Sequence, residues 1–270
     1  MKLQQKLLAT LLAVAFTGGA HAAMQNSTSG NGSLYASVSN GTTSSAVFDL
    51  GFLLDDFLPA SLAAASTKTW NLATSSPAAG VIGVTNYSTI WSQFAATVTN
   101  WGAVVFDVAA GDNTGSGLGT DRYLSTSTDP FATVAAQKNA NLANFGLATD
   151  LYLTSNNALG THGTTDNGAS LSTGGTSLYA TGKGDKWVSK STWDTTGIVG
   201  TASDFYYVQT SSANGLSNAT TPTAYAGKFN LTQAGVLTYS VAAVPEADTW
   251  AMFAAGLLAV GAIARRRMQA

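Results

Sequence analysis

The chain contains no cysteine, so disulfides contribute nothing to its stability, whatever the redox state of its compartment. Glutamate occurs once, at Glu246, and charged residues make up 10% of the sequence, against about a quarter in ordinary soluble domains. Within residues 23–243, twelve Asp stand against seven Lys and Arg, a net charge of −5. A mildly acidic body cannot neutralise a phosphate backbone, which excludes nucleic acid as a partner. Histidine is nearly absent too: beyond the first 22 residues only His162 remains. No Gly-x-Ser-x-Gly elbow occurs, which removes the usual signature of an α/β-hydrolase nucleophile. Gly, Ser, Thr, Asn and Ala fill the space that charge leaves, and 45% hydrophobic residues suffice for a core.

Both ends read as addresses. Lys2 and Lys6 form a basic start, Leu7 to Phe16 is apolar, and Ala20-His21-Ala22 satisfies the small-x-small cleavage rule. This is a signal peptide over 1–22, cleaved between Ala22 and Ala23. At the other end Val244-Pro245-Glu246-Ala247-Asp248 precedes an uncharged run from Trp250 to Ala264, closed by Arg265, Arg266 and Arg267. Pro245 cannot continue a helix from upstream, so the sequence predicts a helix over about 249–264. That run spans roughly 22 Å against a bilayer core of about 30 Å. It crosses with Trp250 at one interface and the arginines snorkelling at the other. The basic cluster keeps that end in the cytoplasm and leaves residues 23–243 facing outward.

This C-terminal arrangement resembles the PEP-CTERM sorting signal of exosortase substrates. Val244, Pro245, Glu246, Trp250-Ala251-Met252, Gly256-Leu257-Leu258 and Arg265 to Arg267 match in order and spacing; Ala247 departs from the second proline of the pattern. The resemblance implies export, transient anchoring in the inner membrane, processing by an exosortase, and release to the surface or an exopolysaccharide matrix of a Gram-negative bacterium. The body also looks like one group of such proteins, on Asn31-Gly32-Ser33-Leu34, Asp49-Leu50-Gly51 and Arg122-Tyr123-Leu124-Ser125-Thr126. That second likeness implies no known activity.

Between the addresses, alternation predicts strands at Leu34–Val38 and Phe48–Leu54, joined by an Asn40-Gly41 turn. A helical turn is expected over Ala60–Ala65 and a strand over Thr69–Leu72. Ile90, Trp91, Phe94, Ala95 and Val98 predict a helix over Ser88–Asn100, and Val104, Phe106 and Val108 a strand over Ala103–Ala109. Gly111–Gly119 reads as a glycine-rich loop. Asp129-Pro130 reads as N-cap and first residue of a helix running through Phe145, with Gly146 as its C′ residue. Asp150–Thr154, Ser177–Ala180 and Lys186–Ser189 read as short strands, and 155–176 as a long exposed loop. Strands follow at Phe205–Gln209, Ala224–Leu231 and Gly235–Ala242. The sum is a mainly β, antiparallel sandwich-like domain with one or two short helices, flanked by the signal peptide and the transmembrane helix.

Few residues qualify for chemistry. His162 reads as an exposed loop residue, without the fixed acid a triad needs. Asp55-Asp56 are the adjacent carboxylates, but strand geometry sends neighbours to opposite faces. Asp112 and Asp121 flank the glycine-rich stretch and could offer oxygens to calcium, but lack the EF-hand spacing. The expectation is a non-enzymatic surface protein without cofactor or metal. A carbohydrate-binding module using Trp70, Trp91, Trp101, Trp187, Trp193, Tyr206 and Tyr207 as platforms is the alternative, and a secreted hydrolase the third.

Overall fold

The computed structural model describes residues 23–41, 43–114, 121–143, 145–187, 191–211 and 215–241. Among them the chain is mainly β and every named strand pair is antiparallel. The strands are β1 Ser33–Ser39, β2 Ser45–Leu53, β3 Lys68–Asn71, β4 Val105–Asp112, β5 Arg122–Ser127, β6 Ala169–Ser172, β7 Gly197–Ile198, β8 Asp204–Gln209, β9 Thr221–Ala224, β10 Gly227–Leu231 and β11 Val236–Val241. The larger sheet runs β6-β2-β1-β4-β5-β8-β9, with β7 paired to β4 off that path; the smaller runs β10-β11-β3. Helices are α1 Ser88–Ala96, α2 Phe131–Ala135, α3 Asn139–Ala143, α4 Phe145–Asn157 and α5 Tyr179–Gly182.

The large sheet is covered on both faces. Leu34, Ala36 and Val38 of β1, Phe48 and Leu50 of β2, Phe106 and Val108 of β4 and Phe205 of β8 share a core with Trp70, Phe229, Leu237 and Tyr239 of the small sheet. Trp91 and Phe94 of α1 join that core. The alternate positions, Tyr35, Val47 and Ala109, pack instead on Tyr152 and Leu153 of α4 and Tyr179 of α5. Tyr123, Tyr206 and Val208 pack on Phe145, Trp187 and Trp193. Period-two alternation therefore sorts residues between two buried layers rather than between core and water. This is why all seven residues of β1 are buried, serines included.

Several expectations hold. Asn40 turns β1 into β2, its Oδ1 accepting from the Ser44 N–H at 2.9 Å, with Gly41 at φ +104°. Helix α1 lies where the apolar spacing puts it, with Ile90, Trp91 and Phe94 buried. Ser75 completes its first turn from outside: its Oγ accepts from the backbone N–H groups of Tyr87 and Ser88 at 2.9 and 2.8 Å. The strands expected around Leu34, Phe48, Thr69, Val104, Phe205, Phe229 and Leu237 are β1, β2, β3, β4, β8, β10 and β11.

The region 129–189 departs from expectation. The single helix expected from Asp129 through Phe145 is three helical segments, α2 to α4. Pro130 occupies the N-cap position of α2, and the Asp129 carboxylate accepts from the distant Asp194 N–H at 2.7 Å. Gly146 does not end a helix; it lies in the first turn of α4, where an added Cβ would meet Ser27 Oγ at 2.8 Å. Asp150–Thr154 is helical, because Phe145, Ala148 and Tyr152 line one buried face at helical spacing. Residues 155–176 are not a long exposed loop: they hold the end of α4, a turn and β6, which pairs with β2. Ser177–Ala180 is a 3₁₀ turn leading into α5, and Lys186-Trp187 is a turn. The helical layer thus exceeds the one or two short helices expected. The expected helix over about 249–264 and the signal peptide lie outside the described residues; among those described, no helix is long and apolar enough to cross a membrane.

Candidate functional site

The predicted address residues Ala20, Ala22, Val244, Pro245, Glu246, Trp250, Arg265, Arg266 and Arg267 also lie outside the described residues. Ala23 is the first described residue and is exposed. The tail of the fold is described as far as Val241, the last residue of β11.

The three motifs of the body converge at one end of β1. Arg122, opening β5, donates from Nε to Asp112 Oδ2 at 2.8 Å, from Nη1 to Asp55 Oδ1 at 2.7 Å, and from Nη2 to the Gly30 carbonyl at 3.1 Å. The register explains the first contact, since Asp112 of β4 lies opposite Arg122 of β5. Asn31 accepts from the Asp55 N–H at 2.8 Å, and the Gly32 N–H donates to the Gly111 carbonyl at 3.0 Å. Gly32 is required there, because a Cβ would collide with that carbonyl. Asp49, next on β2, accepts from the Gly51 N–H at 3.0 Å. Burial pushes its carboxyl up to about 7, with the Gly51 and Ser33 hydrogen bonds pulling the other way.

This node answers the acidic candidates. Asp55 and Asp56 do not act as a pair: Asp55 binds Arg122, and Asp56 accepts from the Leu53 N–H. Asp112 Oδ1 accepts from Thr114, and its Oδ2 is taken by Arg122. The guanidinium supplies the positive charge a cation would bring. Asp121 is pushed up to about 6 by burial and by the Asp112 charge. Among the described residues no group of three or more His, Asp or Glu converges as a metal site.

Aromatic residues serve the interior. Trp70, Trp187 and Trp193 are almost fully buried and Trp91 is buried. Trp70 donates its indole N–H to the Leu50 carbonyl at 2.9 Å. Trp101 is half-buried and stacks on Trp91 at 5.9 Å. Tyr206 is buried against Phe131, and Tyr207 is half-buried.

His162 is fully buried rather than exposed. Its turn is closed by the Thr161 N–H donating to the Ala169 carbonyl at 2.9 Å. Gly168 lets the two backbones touch, since a Cβ there would lie 2.6 Å from His162 N. Burial lowers the imidazole from its ordinary 6.5 to about 4, with the Val47 backbone opposing. A histidine among Gly, Thr and Asn gives no periodic signal of burial, so the sequence held no cue.

The densest buried chemistry was missed altogether. Asp107 of β4 and Lys183, the residue closing α5, are both fully buried and form an ion pair. Asp107 lies opposite Ser37 in the β1–β4 register, on the face of the sheet turned to the helices. Lys183 Nζ lies 5.5 Å from the Tyr35 ring centre and 5.6 Å from that of Tyr179. Desolvation holds the amine well below its usual range. Among the described residues neither Lys183 Nζ nor either Asp107 oxygen has a hydrogen-bond partner beyond the pair itself. An open pocket of about 330 Å³ adjoins, lined by Val105, Tyr179, Gly184, Asp185 and Asp194. The one sequence signal was Asp107 itself, a charge inside the most apolar predicted strand.

These features define a mainly β protein with antiparallel sheets, short helices and internally paired charge. No family model, no curated protein and no solved structure matches the chain.

Proposed function

We propose that this is an exported, non-enzymatic surface or matrix protein. A signal peptide over 1–22 directs it outward. A sandwich-like body over 23–243 is the cargo, and the helix over about 249–264 with Arg265–Arg267 holds it in the inner membrane. Val244, Pro245 and Glu246 are then the element at which an exosortase releases it to the cell surface, where exopolysaccharide is the partner. What supports this reading is the sequence pattern: Val244-Pro245-Glu246, Trp250-Ala251-Met252 and Arg265 to Arg267 stand in the order and spacing of the sorting signal the C-terminus resembles.

The surface chemistry supports a structural role. Charge is scarce, and Arg122 is bound to Asp55 and Asp112 while Lys228 is bound to Asp204 at 2.7 Å. The test replaces Pro245 and Glu246 together with Ala and follows mass and cell fraction beside wild type. A shift to a larger, membrane-retained form is expected; unchanged mass and location refute the sorting reading.

A carbohydrate-binding role is the second reading, and Trp101 is what favours it: among the described residues it is the tryptophan least covered by the core. Retention on polysaccharide that is lost in Trp101→Ala supports it. Equal retention of the two proteins removes Trp101 as a platform.

A further inference from the structure

We propose that Lys183 and Asp107 are joined by an intramolecular amide bond, formed autocatalytically inside the folded domain. The pair has the wrong surroundings for a lasting ion pair. A buried ammonium and carboxylate need further hydrogen bonds to offset their lost hydration. Here, among the described residues, the three donors of the amine and the two carboxylate oxygens find only each other. The faces of Tyr35 and Tyr179 flank the amine and keep water away from it. Condensation removes both charges at once and leaves a neutral amide, which a dry interior tolerates far better.

The step is self-contained. The ammonium passes one proton to Asp107, giving a free amine and a carboxylic acid. Burial favours that exchange, since desolvation already disfavours the charged lysine. The Nζ lone pair then attacks Cγ of Asp107, forming the C–N bond. The Cγ–OH bond breaks, and the hydroxyl leaves with one proton of the amine as water. The product keeps one N–H and one C=O, and no oxidant, reductant or cofactor enters.

The position suits a clamp. Asp107 lies within β4, opposite Ser37 of β1 and next to Phe106, which pairs with Gly197 of β7. Lys183 closes α5, whose start is tied to β2 by the Tyr179 N–H donating to Ser45 Oγ at 2.9 Å. Gly182 lets α5 settle, because a Cβ there would collide with the Thr176 carbonyl. The bond would pin the helical layer to the centre of the large sheet. In a chain without cysteine it supplies the covalent cross-link that disulfides supply elsewhere.

The test is peptide mass spectrometry on the purified full chain, denatured and digested with trypsin. The expected product is a branched peptide joining the Asp107 and Lys183 segments, lighter by one water than the two together, with Lys183 resistant to the protease. Lys183→Arg should yield only the linear Asp107 peptide. Linear peptides from the wild type, with Lys183 cleaved, overturn the proposal whether or not the variant folds.

Discussion

Replacing His162 with Gln should change how stability depends on pH, and the size of the change follows from where the imidazole sits. In the folded chain it protonates only near pH 4, whereas the unfolded chain takes up that proton near 6.5. The sign follows: between those values the unfolded state binds more protons, so His162 makes the fold less stable as pH falls through that window. Each pH unit between the two values is worth about 1.4 kcal/mol, which brings the full effect to about 3 kcal/mol. Asp49 acts in the opposite sense. Its carboxyl is raised from 3.8 to about 7, so its contribution is complete below 3.8 and is lost as pH rises towards 7. The two nearly cancel in wild type over the shared window. Gln cannot ionise, so His162→Gln leaves the Asp49 trend exposed. Equilibrium urea unfolding, followed by fluorescence of the buried Trp70, Trp187 and Trp193, measures both proteins from neutral pH to about pH 4. Whatever the substitution costs at neutral pH, the gap between the two should move in the variant's favour by about 3 kcal/mol on acidification. Every other titrating group cancels in that difference. A gap that stays constant with pH refutes the burial argument.

Other outcomes follow from the same geometry. Asp49→Asn, which keeps an acceptor for the Gly51 N–H, should gain stability over wild type as pH rises from 4 to 7, by up to about 4 kcal/mol; melting temperature against pH reads it. Phe57→Ala should cost about 3–5 kcal/mol in denaturant unfolding, because the ring meets Phe52, Phe205, Tyr225, Phe229 and Tyr239 where the two sheets pack. Gly227→Ala should cost about 1–3 kcal/mol by overpacking, since the new methyl would land in the Tyr239 ring. Arg122→Ala should destabilise by about 1–3 kcal/mol, mostly by leaving Oδ2 of the buried Asp112 without its charged donor while Thr114 holds only Oδ1. Arg122→Lys should recover only part of that, because an ammonium cannot reproduce the fork.

How much could be read in advance varied along the chain for physical reasons. Leu34–Val38 and Phe48–Leu54 announced themselves because large apolar residues alternate with small polar ones, and Asn40-Gly41 marked their turn. Helix α1 announced itself through Ile90, Trp91 and Phe94. The stretch 129–189 did not. Its buried positions include Asn139, Asn156, His162, Ser170 and Lys183, which hydropathy assigns to solvent. Some are inside because partners from distant segments satisfy them: Asn156 donates to the Ser177 carbonyl and accepts from Ser170. Polar satisfaction of this kind is a property of the assembled fold and leaves no periodic trace. The same holds for the Arg122 node. The short motifs containing Asn31, Asp49 and Arg122 stood out in sequence, but nothing local indicated that Asp55 and Asp112 would meet one guanidinium.

Composition and local pattern were enough to establish a mainly β chain without disulfides and a weakly charged acidic body. Those properties depend on residue type and short spacing alone, so they survive without a fold. The rest required the chain to close on itself. Covering the large sheet on both faces turned alternating serines into buried residues. It also moved most of the tryptophans from candidate platforms to core and drew His162 out of water. Above all, it brought Asp107 and Lys183, far apart in sequence, together in a dry aromatic enclosure. A charge in a strand or a lysine near a turn is ordinary alone; desolvation and mutual contact give the pair its chemistry, and both arise only when the helical layer packs on the sheet.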